Sequence, residues 1–266
     1  MQIFALPFMR YAILASTLAG MALSLIGIFV IARRISFVGL SVSQLAALGT
    51  VCSVMLSLHY SEFAFALIWV GIGFYLLSLF SKKNWIPPET WVACLYILGA
   101  GMSILMLSKA PNGETHTLNV FFGNVLALGF VEVVEALAIL GITLLLLWIG
   151  FYHWVWITFD SESAQISGVT VRFWDFIFYS LFAIVMTVAI HIFGVLLAFA
   201  YLLAPATIGL ILFRNLKKLF IFVPILTLCV TLLGFYGSFQ LDFPTGPFIA
   251  TTLVLVTFLS TLFSKN

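Results

Sequence analysis

The chain has 266 residues, of which 64% are hydrophobic and 8% charged, and its mean hydropathy is +1.24. A soluble domain carries roughly a quarter charged residues, so this composition excludes one and predicts a polytopic membrane protein. The formal net charge of +2 is too small to define a partner. Cys52, Cys94 and Cys229 lie far apart in apolar runs, with no metal or disulfide spacing, and read as small apolar residues.

Taken in order, the apolar runs long enough, or nearly so, to cross a hydrocarbon core of about 30 Å are residues 11–32, 40–58, 63–80, 91–107, 133–156, 173–190, 194–213, 219–236 and 247–263. Short polar links join them, with no soluble domain between. The first run is too long for a removable signal peptide and ends at Arg33-Arg34 without a cleavage site. The expectation is an all-α polytopic membrane protein of about nine transmembrane helices, a single transmembrane domain over residues 1–266. Threading the spans from an outside N-terminus puts Arg33, Arg34, Lys82, Lys83, Arg172, Arg214, Lys217, Lys218 and Lys265 in the cytoplasm. Only Arg10 and Lys109 then face out, a strong positive-inside bias. Glu62, Glu114, Glu132, Glu135 and Asp242 fall outside. An acidic outer face concentrates cations; the favoured reading is that acids such as Glu132 and Glu135 cap helix starts.

Three stretches stand out. The outer link 107–132 contains Pro111-Asn112-Gly113, a turn signal, and then a short apolar piece with Gly123-Asn124. The inner link contains Phe159 to Val169, in which Asp160 or Ser161 is a fair N-cap and Gly168 a C-terminal stop. That pattern predicts a short cytoplasmic helix suited to docking a soluble partner; a solvated loop is the plain alternative. Gly194 to Gly209 is an apolar run in which Gly194 allows a close backbone approach and Pro205 bends the helix. A helix lining a path and a routine membrane kink both fit it.

Together these stretches resemble the permease subunits of ABC importers for zinc and manganese. The resemblance rests on Arg33 to Gly39, Phe122 to Ala127, Phe159-Asp160 with Ala164, Gly168 and Val169, Gly194 to Thr207, and Asp242 to Pro247. It implies a transmembrane subunit that moves a divalent metal ion, or a metal complex, inward. It implies a second permease copy or close paralogue, cytoplasmic ATP-binding subunits, an extracytoplasmic binding protein and a bacterial inner-membrane location. It also implies that Phe159, Asp160, Ala164, Gly168 and Val169 form the ATPase-coupling helix.

The pattern departs at one place. The family usually has an aspartate after the glycine of its first inner turn and a histidine four residues on; here those positions are Leu40 and Gln44. Leucine coordinates nothing, and a glutamine amide oxygen is a weak zinc ligand. Ser41, Ser43, Gln44, Asn124, Gly194 and Pro205 are the pathway candidates, and Gln44 needs a partner on another helix or on the cargo. Of the four histidines His59, His116 and His191 fall on the outer side and His153 inside; His191 is the metal candidate, although no two share a ligand spacing. No cofactor is expected. No phosphate-binding GxxxxGK[ST] loop is present, so ATP hydrolysis is expected on separate subunits. A stand-alone secondary transporter or channel would show intramembrane charges or repeated halves with broken helices, and neither occurs. A permease paralogue with a non-metal substrate remains the other alternative.

Overall fold

The computed structural model describes residues 7–56, 62–80, 87–108 and 128–263. The helices are α1 (Pro7–Ala32), α2 (Ser36–Met55), α3 (Glu62–Phe80), α4 (Pro88–Leu107), α5 (Phe130–Phe159), α6 (Ser161–Ile166), α7 (Val171–Leu212), α8 (Leu216–Gln240) and α9 (Thr245–Phe263). No strand occurs among the described residues. All but α3 and α6 are long and apolar enough to cross a membrane, and α3 carries a shorter apolar stretch, Glu62–Leu77. Asn124 and the segment around it, His59, His116, Glu114, Lys82, Lys83, Lys109 and Lys265 lie outside the described residues.

Helix α7 has 42 residues. At 1.5 Å per residue it would reach about 63 Å if straight, twice the hydrocarbon core. It is not straight. Gly39 on α2 has both Phe182 and Leu202 within reach of a single added carbon. The Phe29 ring meets the Phe178 ring at 6.0 Å, while Gly27, half a turn away on α1, abuts the Leu202 carbonyl. Residues 178 and 202 of a straight helix would lie roughly 36 Å apart. The chain therefore doubles back, and the turning point is Gly194, the single non-helical residue of the element (φ 80°, ψ 171°). That region of backbone space is essentially restricted to glycine. The two expected spans 173–190 and 194–213 are thus two arms joined by one residue.

The break falls at Gly194, whereas Pro205 sits in regular helix and is buried. The pyrrolidine removes the N–H that would bond the Tyr201 carbonyl, yet the flanking turns hold their helical geometry.

Helices α1 and α7 form the centre of the bundle: 83% of the most apolar 18-residue stretch of each is buried, and buried residues lie on both arms of α7. For α5 the corresponding figure is 22%, so α5 offers one face to the core and the rest to its surroundings. Small residues let the central backbones meet. An added carbon on Gly27 would lie 1.8 Å from the Leu202 carbonyl oxygen, and one on Gly49 would lie 2.4 Å from Ala66 Cα. This close approach is how helices associate where lipid offers no hydrophobic drive. At the Arg33 end, Phe29 packs edge-on against Trp154 and Phe178.

Candidate functional site

The link between α5 and α7 builds a short helix from local signals. Asp160 Oδ1 accepts from the Ser163 backbone N–H at 3.0 Å, which makes it the N-cap of α6. At the other end the Val169 N–H donates to the Ala164 carbonyl at 3.0 Å, and Gly168 takes φ 89°. A left-handed residue just past the last turn ends a helix and satisfies its carbonyls. The helix covers Ser161–Ile166, shorter than the expected 159–169.

Its two faces differ. Ala164 is fully buried against the bundle, so it anchors α6 and leaves no surface there for a partner. Phe159 is 70% and Ile166 87% exposed, with Glu162 and Gln165 also outward. Gly168 is exposed with open space where a side chain would stand, and Val169 is half-buried. Ile166 was absent from the sequence-based candidates. A single isoleucine in a polar hexapeptide looks like an ordinary inward residue until the burial of Ala164 sets the face.

Arg33, in the turn between α1 and α2, reaches both flanks of α6. Its Nε donates to Thr158 Oγ1 at 3.0 Å, and its Nη1 to Asp175 Oδ1 at 2.7 Å. The guanidinium lies 4.4 Å from the centre of the Phe178 ring.

The polar start of α2 is enclosed. Ser41, Ser43 and Gln44 are all buried. The two serine hydroxyls donate to their own helix, to the Val38 and Leu40 carbonyls. Gln44 packs its backbone against Gly99 of α4, and its Oε1 has no hydrogen-bond partner among the described residues. Leu40 is half-buried. Pro205 and Gly194 are likewise buried.

At the opposite, Arg10 end, a cavity of ≈ 520 Å³ opens between α2, α3, α5 and the first arm of α7. Its polar lining is Thr50, Glu62, Glu135, Thr187 and His191. His191 Nδ1 lies 3.7 Å from Glu135 Oε2, an ion pair when the imidazole is protonated. Glu132 does cap α5, accepting from the Gly129 N–H at 2.8 Å, whereas Glu135 faces the cavity and caps nothing. Among the described residues no group of three or more His, Cys, Asp or Glu side chains is gathered closely enough to hold a metal ion. Asp242 is a turn residue, with φ 51°.

Comparison with known proteins places this architecture. The chain is 26% identical over 246 residues to the chelated iron transport system membrane protein YfeD of Yersinia pestis, covering 92% of this chain and 82% of the relative. It is 24% identical to the manganese transport system membrane protein MntC of Listeria monocytogenes, covering 97% and 91%. Among solved structures, PsaBC from Streptococcus pneumoniae in complex with Fab superposes with a TM-score of 0.87 at 22% identity, covering 96% of this chain and 91% of that one. An inward-facing putative metal-chelate type ABC transporter gives 0.75 at 15% identity, over 96% and 85%. These likenesses establish the fold. Residues 5–264 match the ABC 3 transport family, and the chain belongs to that family.

Proposed function

We propose that this chain is the membrane permease of an ATP-driven importer that carries a divalent first-row metal ion, or a chelate of one, into the cell. The observation that carries the reading is α6: a capped six-residue helix that turns Ile166 outward, beside the exposed Phe159 at the end of α5, at the end of the bundle where Arg33, Arg34, Arg172, Arg214, Lys217 and Lys218 gather. By the positive-inside rule that end is cytoplasmic, which puts the Arg10 end and the N-terminus outside. Soluble ATPase subunits dock on α6, and hydrolysis takes place on them. Manganese and chelated-iron transport relatives support the cargo class. Leu40 and Gln44 stand where a stronger Asp and His pair is usual, so the ion passes with weak protein ligands, as conduction requires. A second permease copy completes the pathway, and an extracytoplasmic binding protein delivers cargo at the cavity lined by Glu62, Glu135 and His191.

The test acts on the outward face of α6. Ile166→Arg places a charge on the docking surface without touching the buried Ala164 anchor. Membrane insertion is expected to be unchanged while stimulation of ATP hydrolysis in the assembled transporter falls to the basal rate. Full stimulation in Ile166→Arg and in Phe159→Asp would sink the docking role of α6.

A further inference from the structure

We infer that Arg33 is the positioning residue through which movement of α6 reaches the core of the bundle. The inference rests on α6 being the docking helix, as proposed above.

Helix α6 has two flanks, the end of α5 and the start of α7, and any displacement of α6 must move them. The Arg33 side chain hydrogen-bonds to both. Arg33 Nε binds Thr158 on α5 and Nη1 binds Asp175 on α7, while its own backbone continues α1 through an N–H donated to the Phe29 carbonyl. Thr158 and Asp175 lie 125 and 142 residues away in sequence, so no local geometry forces the pairing. The hydroxyl of Thr158 donates to the Trp154 carbonyl, so toward Arg33 it is an acceptor. The planar fork of a guanidinium can hold two acceptors on two helices at fixed angles, which an ammonium cannot do.

The seat is rigid on the α1 side. The aromatic rings of Phe29, Trp154 and Phe178 pack edge-on around it, and the Arg33 guanidinium covers Phe178. Trp154 Nε1 donates to the Trp174 carbonyl at 3.1 Å, tying the same two flanks a second time. On the α2 side the chain turns at Arg34 with φ 57°, a left-handed conformation costly for arginine. A push on α6 therefore passes through Arg33 directly into α1, which contacts both arms of α7, and through the strained turn at Arg34 into α2. The Arg33 Nη2 amino group is buried and has no hydrogen-bond partner among the described residues. A pair serving packing alone would have satisfied that donor; here it is available to a new acceptor when the flanks shift.

The test uses the full transporter with its ATPase subunits in lipid, in a cysteine-free background, with spin labels at the exposed positions 14 on α1 and 255 on α9. The label separation is compared between the nucleotide-free and vanadate-trapped states, a readout that needs no knowledge of the cargo. Arg33→Lys keeps the charge and loses the fork; Thr158→Val removes one acceptor from the other side; Thr158→Ser keeps it. The wild type and Thr158→Ser are expected to shift on trapping. In Arg33→Lys and Thr158→Val the shifted population is expected to fall roughly tenfold, the effect of losing one hydrogen bond to a charged group, while ATP hydrolysis persists. A wild-type-sized shift in both variants, or no shift in the wild type, overturns the inference. Loss of hydrolysis together with the shift in Thr158→Val, whose half-buried hydroxyl is turned inward to Arg33, also overturns it. Failure of the docking role shows separately, as unchanged ATPase stimulation in Ile166→Arg.

Discussion

Gly27→Ala tests the packing that holds the bundle together. A carbon added at Gly27 would sit 1.8 Å from the Leu202 carbonyl oxygen, 2.9 Å from its carbonyl carbon and 3.3 Å from Ala206 Cβ. A carbon and a carbonyl oxygen rest at about 3.3 Å or more, so α1 and the second arm of α7 must part by about 1.5 Å. The atoms met are backbone and cannot rotate away. Overpacking of this kind costs about 1–3 kcal/mol, and parting the helices adds lost contact elsewhere along them, as at Gly20 against Tyr201. Helix propensity acts in the opposite direction, since alanine is better than glycine by about 1 kcal/mol. Gly71 and Gly101 are helical glycines with open space around them and isolate that second effect. The expected outcome, in reversible unfolding by denaturing detergent, is a net loss of about 2 kcal/mol for Gly27→Ala. Gly71→Ala and Gly101→Ala should be neutral or slightly more stable. Equal stability of Gly27→Ala and Gly71→Ala would refute the close crossing of α1 and α7.

Gly194→Ala puts a side chain on a residue at φ 80°, ψ 171° and should cost about 1–3 kcal/mol in the same unfolding assay; an undiminished stability would mean that the reversal does not rest on that residue. Tyr201→Phe removes a buried hydrogen bond. Thr231 already donates to the Thr227 carbonyl, so the Tyr201 hydroxyl is the donor in its 2.7 Å contact with Thr231. The loss should be about 1 kcal/mol in unfolding free energy, and Thr231→Val should add little to it if the two belong to one interaction. Asp160→Ala removes the N-cap of a helix with only six residues. It should cost about 1 kcal/mol locally and show as faster amide exchange confined to residues 161–166; unchanged exchange there would deny the cap its role.

Much of this protein is legible in the order of its residues. Apolar run lengths located the membrane helices, because that signal is local and lipid reads it directly. Asp160 and Gly168 were also recoverable, since a cap acts within its own turn. The tertiary structure alone decided the rest. The run lengths already end one span at 190 and start the next at 194; that the reversal is made by Gly194 alone, at φ 80° and ψ 171°, is seen only in the structure. Gly27 carried no signal at all, and the Arg33 bridge joins residues more than a hundred positions apart. Periodicity could not help: a membrane helix is apolar on every side, so its pattern does not distinguish a face turned to lipid from one turned to a neighbour. Which face meets which is settled by backbone approach and paired polar atoms, and those exist only once the helices have been brought together.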